Sequence, residues 1–170
     1  MDIPNQSIVT KEEIVKVTRK QIEELGFTIT ETDKERPWGA FFVIEEKETK
    51  KFIKIFFDDK ISYQENMKYS PKILIVEPKK KLSWQYHHRR SEIWRVIKGP
   101  VGIVLSDTDT ESETSLYNEY DMIEIKKRER HRLIGLEKWG IVAEIWMHTD
   151  ANIPSNEEDI VRVQDDFSRK

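Results

Sequence analysis

Apolar residues recur at helical spacing near the start of the chain. Thr10 and Glu13 have the spacing of a capping box, and Gly26 is suited to end a helix. This pattern predicts one helix over residues 10–26, packed on the outside of the main fold or at a dimer contact. The apolar stripe of this helix consists of Ile14, Val17, Ile22 and Leu25.

From Phe41 onward the pattern changes to short apolar runs separated by charged turns. Roughly nine or ten such runs are rich in Phe, Ile and Val, and they follow one another at hairpin-like spacing. This spacing predicts a sandwich or barrel, with no helical pattern between the strands. The clearest runs are FFVIEE, KFIKIFF, PKILIVEP, VGIVLSD, DMIEIKK, RHRLIGLE and GIVAEIWM.

Ligand-type side chains concentrate in the stretch LSWQYHHRRSEIWRVIKG, residues 82–99. In an extended strand alternate residues share a face, so Gln85 and His87 project together, opposite Tyr86 and His88. A turn follows, and Glu92 at the start of the next strand can swing back toward Gln85 and His87. The hairpin therefore predicts half of a metal site that needs a fourth group from elsewhere.

Composition narrows the class of protein. The 170 residues favour one domain. The absence of cysteine excludes thiolate ligands and disulfides, and a net charge of −3 argues against a general nucleic-acid binder. There is no apolar run of membrane-spanning length, and the N-terminal MDIPNQSIVTKEE lacks a signal-peptide core. We expect a soluble, cytoplasmic protein without a membrane partner.

The spacing of Gln85, His87, Glu92 and Gly99 resembles the first cupin motif, with Gln in the first His position. More narrowly, LSWQYHHRRSEIW resembles the LSxQxHxxRxEHW signature of type II mannose-6-phosphate isomerases, which also occurs in the cupin domain fused to mannose-1-phosphate guanylyltransferases. Ile93 stands where the family usually has His. The chain carries no nucleotidyltransferase signature.

Further motifs extend this resemblance along the chain. Arg36-Pro37-Trp38-Gly39 resembles the RPWG that opens the cupin domain, although such a turn is equally consistent with a structural corner. The tail segments EEDIVR (157–162) and DDFSR (165–169) resemble the closing family motifs. The EVQxG motif is altered, since Glu144-Ile145-Trp146-Met147-His148 lacks its Gln and Gly.

The second cupin motif, which ends PxGxxH, places His131 as the fourth ligand. Lys126 replaces the Pro and Arg128 the Gly of this motif. Both replacements affect the residues that shape the turn, and they leave the His in place.

The resemblance implies an all-β, RmlC-like cupin, an antiparallel β-barrel or jelly roll with an N-terminal helix. Residues 1–33 would form a helical extension and residues 34–170 the barrel. It also implies a homodimer that associates through sheet packing.

The resemblance further implies a metal-dependent sugar-phosphate isomerase of the mannose-6-phosphate/fructose-6-phosphate type. The metal ligands would be Gln85, His87, Glu92 and His131. Such a nitrogen and oxygen shell suits Zn, Fe, Mn or Ni, and the family favours zinc. The metal would stabilise a developing enediolate, and by chemistry alone Glu144 and His88 are candidates for the base.

Phosphate binding is expected from arginines that match family motifs, namely Arg90, Arg162 and Arg169. Two basic segments support a phosphorylated sugar as partner: residues 79–98 hold seven Lys or Arg and one acid, and residues 126–132 hold five and one. A solvated charged face explains these runs equally well.

Three alternatives remain at this stage. One is a non-catalytic cupin that binds a sugar phosphate or nucleotide sugar, since a fold does not determine a function. Another is a metal-dependent dioxygenase or decarboxylase. The third is a polar, hydrogen-bonded interior that holds no metal.

Overall fold

The computed structural model describes residues 9–58 and 60–168, and these form two α-helices and eleven β-strands. The helices are α1 (Lys11–Glu24) and α2 (Thr49–Phe57). The strands are β1 (Ile29–Asp33), β2 (Gly39–Ile44), β3 (Tyr69–Val76), β4 (Trp84–His87), β5 (Arg90–Lys98), β6 (Val101–Ser106), β7 (Ser115–Tyr117), β8 (Met122–Ile125), β9 (Arg130–Gly135), β10 (Gly140–His148) and β11 (Ile160–Gln164). Short 3-10 helices, Glu46–Glu48 and Glu157–Asp159, precede α2 and β11.

The strands form two antiparallel sheets. One has the order β1-β2-β3-β10-β5-β8, and the other β11-β4-β9-β6-β7. Apolar side chains from both sheets meet between them, among them Trp94, Ile103 and Leu133. The predicted all-β class with an N-terminal helix is confirmed. The two sheets pack as separate layers and do not close into one continuous barrel.

The six-stranded sheet has two different faces because side chains alternate along each strand. On β3, Ile73 and Ile75 belong to a core that the sheet shares with α1 and α2. Leu74 and Val76 point the other way, into the space between the sheets. Lys72 follows the same alternation and lies on the inner face. This inner face carries the candidate site.

Helix α1 forms where it was predicted, but Leu25 of the predicted apolar stripe is exposed, and Val15 and Thr18 are buried beside Ile14 and Ile22. Thr10 is its N-cap, and its side chain and that of Glu13 make both hydrogen bonds of a capping box. Gly26 follows the C-cap residue with a φ of 76°, a left-handed conformation that favours glycine. Ile14 and Ile22 are buried, and so the helix packs on the outer face of the six-stranded sheet.

The interpretation of KFIKIFF as a strand is wrong, as is the expectation of no helix between strands. This run lies in α2, whose buried residues include Phe52, Ile53, Phe56 and Phe57. Their i, i+1, i+4, i+5 spacing suits one helical face. The run consists largely of β-branched and aromatic residues, which are typical of strands, and for this reason its helical spacing was interpreted as a strand.

The RPWG turn leads from β1 into β2. Gly39 has a φ of 152°, and a Cβ atom there would lie 1.9 Å from the Ile75 carbonyl oxygen, so no other residue fits. Trp38 is buried against the inner core. Strand β1 pairs with β2 in the six-stranded sheet, and the predicted division at residue 33 stays a prediction.

Candidate metal centre

Three buried side chains meet on the inner side of the fold. One ligand atom from each of His87, Glu92 and His131 lies within 4.8 Å of the others. His87 Nε2 is 3.2 Å from Glu92 Oε1 and 3.3 Å from His131 Nε2, and His131 Nε2 is 3.6 Å from Glu92 Oε2. Each residue is at most 2% exposed. The predicted convergence of a distant imidazole with the hairpin is therefore present.

The strand pairings explain this convergence. His87 ends β4 and Glu92 lies near the start of β5, so one short connection brings them together. His131 lies on β9, which pairs with β4, and its Cα is opposite that of Gln85. The cluster therefore contains residues from both sheets.

Both imidazoles are held in the neutral form. Burial lowers the pKa of His87 to about 4, and burial also lowers the pKa of His131. His131 Nδ1 lies 3.0 Å from the carbonyl oxygen of Glu129, so it donates there and leaves the lone pair of Nε2 facing the cluster. Hydrogen bonding of the second ring nitrogen is the usual arrangement around metal-binding histidines.

Glu92 is held in the charged form. Burial alone raises the pKa of this carboxyl, but the Arg90 charge and the two imidazoles outweigh it and hold the pKa well below its usual range. Arg90 Nε donates to Glu92 Oε1 at 2.7 Å, and Trp94 Nε1 donates to Oε2 at 3.0 Å. A buried carboxylate is tolerated only with such partners.

Arg90 is part of the cluster and is almost fully buried. Besides Glu92, its guanidinium lies 3.0 Å from His87 Nε2 and donates to Ser155 Oγ at 2.8 Å. A bound metal would compete with Arg90 for the same His87 lone pair and the same Glu92 oxygen. With its donors engaged in this way, Arg90 stabilises the cluster, and its predicted contact with a substrate phosphate stays untested.

The donor set fits a divalent metal ion. Two neutral imidazole nitrogens and one ionised carboxylate are already in the protonation states that metal binding requires. Such a nitrogen and oxygen set suits zinc and other first-row transition metals, and it does not identify one of them. The fold and the buried His–Glu–His group could thus bind a metal.

Gln85, the remaining predicted ligand, lines the same cavity as Glu92. Its Oε1 accepts a hydrogen bond of 2.5 Å from Ser83 Oγ. His88, a candidate base, is exposed, and its ring packs edge-on to Tyr86 with centroids 5.2 Å apart. The structure therefore does not bring His88 to the cluster.

Glu144, the other candidate base, lies on β10 beside the cluster. Trp94 Nε1 donates to Glu144 Oε1 at 2.9 Å as well as to Glu92, so one indole joins the two carboxyl groups. Burial, reinforced by the charge of Glu92, raises the pKa of Glu144 to about 8. The two carboxyl groups thus have very different affinities for a proton.

A cavity of about 50 Å³ adjoins the cluster, with room for a few water molecules. Glu92 and Glu144 both line it. Arg162 lines it, and its predicted contact with a substrate phosphate stays a prediction. Arg169 lies outside the described residues. Of the two predicted basic segments only Arg90 contributes a cation to its lining. The charged residues around it are Arg36, Lys72, Arg90, Glu92, Glu144, Glu157 and Arg162.

Sequence reasoning missed Lys72, Arg36 and Trp146, which line this cavity. The sequence did indicate that Lys72 is unusual, because it lies two and four residues before the inward-facing Leu74 and Val76 in an apolar strand. A charged residue at an inward position is unusual. Arg36 lies in a turn motif and Trp146 in an apolar strand, so the sequence did not identify either of them as a residue of the site.

The turn before His131 has a left-handed residue at the position where the family motif has glycine. Arg128 adopts a φ of 67°, and its backbone N–H donates to the His87 carbonyl oxygen at 2.9 Å. Lys126 N donates to the Glu129 side chain at 2.8 Å. The bond from Arg128 joins the turn to the strand that carries His87, and the bond from Lys126 closes the turn itself.

Several solved structures share this fold. Vicilin from Corylus avellana (hazelnut) has a TM-score of 0.54 and 19% identity, over 78% of this chain and 35% of that chain. Vicilin from Solanum lycopersicum (tomato) has a TM-score of 0.50 and 18% identity, over 74% and 32%. A Cupin 2 conserved barrel domain protein from Salinispora arenicola CNS-205 has a TM-score of 0.42 and 17% identity, over 55% and 73%. The chain thus spans about a third of either vicilin, and at these identities the likeness concerns the fold alone.

The two antiparallel sheets form a cupin-like fold. The model of the family "Mannose-6-phosphate isomerase C-terminal" matches residues 59–165, more than half of the chain, and the chain belongs to that family. Comparison with curated protein sequences found no match. Among the described residues, neither helix is long and apolar enough to cross a membrane.

Proposed function

We propose that this protein is a metal-dependent aldose–ketose isomerase that interconverts mannose 6-phosphate and fructose 6-phosphate, or acts on a related phosphosugar. The observation that carries the proposal is the buried group of His87, Glu92 and His131 beside Glu144. This group offers two imidazoles and a carboxylate that could bind a cation, and the carboxyl of Glu144 beside it could carry a proton. Membership of the family supports this choice of reaction and substrate.

In this proposal Gln85, His87, Glu92 and His131 hold the metal, most simply zinc, with iron, manganese or nickel also compatible. When bound, the metal supplies Lewis-acid stabilisation of the oxygens on two adjacent sugar carbons. Trp94 orients the carboxyl groups of Glu92 and Glu144, since its single N–H contacts both.

We assign the proton transfer to Glu144. Isomerisation requires one group to remove a proton from one carbon and return it to the next. Glu144 is 5% exposed and lines the cavity, whereas His88 is exposed outside it. Burial of the reacting carbons beside Glu144 would also exclude water from the intermediate.

A second candidate function is a cupin that binds a phosphosugar without catalysis. The contacts of Arg90 with His87 and Glu92 favour it, because they satisfy the buried carboxylate without a metal. Trp146 also occupies the position of the family's Gln, and this replacement likewise favours binding without catalysis. Metal-independent phosphosugar binding without turnover would select this function.

The test is isomerase turnover on mannose 6-phosphate, with and without a chelator. We expect chelation and His87→Ala to abolish activity, and Glu144→Gln to reduce kcat by at least about 100-fold while substrate binding persists. His88→Ala separates the two candidate bases and should retain wild-type turnover. Full activity in metal-free protein, or in Glu144→Gln, would contradict the mechanism.

We also propose that the protein is a homodimer in solution. Two chains of 20.3 kDa would give a species of about twice that mass in light scattering after gel filtration. A monomer over the whole concentration range would contradict this proposal.

A further inference from the structure

The ammonium group of Lys72 is buried on the inner face of the six-stranded sheet. Lys72 is 6% exposed, and its Nζ lies 3.3 Å from the centroid of the Trp146 ring and 5.0 Å from that of Phe41. Its hydrogen bond to Glu157 Oε1 is 3.5 Å long. An ammonium has three donors, so these contacts leave Lys72 with capacity to bind an anion.

Trp146 lies next to Lys72 and is 6% exposed. Lys72 reaches its ring from β3, and Arg90 Cζ reaches it from β5 at 3.4 Å from the centroid. The indole Nε1 is buried and has no hydrogen-bond partner among the described residues. Because a buried N–H without a partner is costly, this donor points to a ligand in the cavity that Trp146 lines.

Glu157 shows that an oxyanion can reach this position. Its carboxylate oxygens lie 3.5 Å from Lys72 Nζ and 3.7 Å from Arg36 Nη2, so one anionic group spans both cations. Both contacts are longer than a good charged hydrogen bond. The Glu157 side chain is 49% exposed, and it can therefore swing into solvent.

We propose that Lys72, Arg36 and the Trp146 indole N–H form a phosphate subsite, and that Glu157 competes with phosphate for the two cations. Identifying the ligand as the phosphate of a sugar rests on the proposed function. The subsite lies in the same cavity as Glu92 and Glu144, so the remainder of the ligand can extend toward the candidate metal centre.

Charge and size favour a phosphate group as the occupant. Two cations and a neutral donor match a tetrahedral dianion with several acceptor oxygens. The cavity of about 50 Å³ has room for a few water molecules, and a phosphate group takes up a similar space. Arg36 also pairs with Asp33, since its Nε lies 2.8 Å from Asp33 Oδ2. A neutral sugar would offer Lys72 and Arg36 no negative charge in place of that of Glu157.

Calorimetric titration of the full-length protein with inorganic phosphate tests the subsite without requiring catalysis. We expect Lys72→Met to weaken phosphate binding by about tenfold or more, because a charged hydrogen bond is lost. Trp146→Phe keeps the ring and loses the N–H, and it should weaken binding by about fivefold. Lys72→Arg should retain most of the affinity.

Glu157→Gln should change the phosphate affinity in the opposite direction. Removing the competing carboxylate should tighten phosphate binding by a few-fold. Glu158→Gln makes the same charge change at an exposed neighbouring position, and Lys79→Met removes an exposed lysine; neither should alter the affinity. If Lys72→Met fails to fold, the phosphate affinities of Glu157→Gln and Trp146→Phe still test the proposed subsite.

Titrations with mannose 6-phosphate and with mannose distinguish the ligand sources. Mannose 6-phosphate should depend on Lys72 as inorganic phosphate does, and mannose should not bind. Phosphate affinity that is unchanged in Lys72→Met and Glu157→Gln would overturn the subsite, even in an active isomerase. Lys72-dependent phosphate binding in a protein without isomerase activity would support the subsite and contradict only the proposed function.

Discussion

At the scale of single residues, His148 shows how hydrogen bonding selects one protonation state. The backbone N–H of Ser155 donates to His148 Nδ1 at 2.9 Å, so this nitrogen carries a lone pair. The Nε2–H then donates to Ser70 Oγ at 2.8 Å. Burial lowers the pKa of His148 to about 4, well below the usual value near 6.5.

This pKa shift predicts a pH-dependent stability. Between about pH 6.5 and pH 4 the unfolded chain binds a proton at His148 that the folded chain does not, so stability is full above this window and falls as pH decreases through it. The loss from this residue would reach at most about 3 kcal/mol. His148→Gln should remove part of the slope, as measured by urea unfolding of metal-free protein between pH 4 and 7. An unchanged slope would contradict this account.

Residue identity and spacing predicted some of the site but not all of it. His87 and Glu92 follow from strand alternation and a turn, and His131 followed only from its position in a family motif. Their convergence depends on the pairing of β4 with β9, which is a long-range contact. The alternation along β3 indicated that Lys72 faces inward, but its place beside the cluster depends on the pairing of β3 with β10. Arg36 could not be assigned, because the sequence does not show which turn faces the cavity.

At the scale of elements, the tail segment around Asp159 is hydrogen-bonded to the turn between β4 and β5. Asp159 accepts hydrogen bonds from the backbone N–H groups of His88 at 3.2 Å and Arg89 at 3.0 Å, between β4 and β5. Ser155 Oγ donates to the same carboxylate at 2.6 Å and accepts from Arg90. The tail motif predicted from resemblance thus has a structural reason, since it fixes the turn between His87 and Glu92.

Replacing Asp159 tests this link. Asp159→Asn keeps the size of the side chain but weakens three hydrogen bonds, and we expect a loss of about 1–3 kcal/mol in unfolding free energy. The free energy comes from urea denaturation monitored by tryptophan fluorescence. Glu158→Asn, at the exposed neighbouring position, is the control and should lie within about 0.5 kcal/mol of wild type. Equal stability of Asp159→Asn and wild type would contradict the link.

The turn before His131 permits a stabilising substitution. Arg128 adopts a left-handed φ of 67°, which costs a non-glycine residue about 1–2 kcal/mol. Arg128→Gly removes this cost and adds backbone entropy to the unfolded chain, so we expect a net gain of up to about 1 kcal/mol. Arg128→Ala keeps the strain and should give no gain. Thermal unfolding decides the matter, and a lower melting temperature for Arg128→Gly than for Arg128→Ala would contradict this interpretation.

At the scale of the whole molecule, the inner and outer faces of the six-stranded sheet contact different parts of the protein. The outer face packs against α1 and α2 through residues such as Ile73 and Phe52. The inner face combines an apolar core with a buried group of charged side chains. Strand periodicity predicted the all-β class, while α2 was missed because Phe52 and Phe56 are as common in strands as in helices.

The central claim is that His87, Glu92 and His131 hold a divalent metal ion. Metal analysis of the purified protein, after loading with Zn²⁺ and removal of excess, tests it most directly. We predict about one metal ion per chain in wild type and in His88→Ala, and none in His131→Ala. Wild-type protein that retains no metal, or His131→Ala protein that retains a full equivalent, would contradict the account.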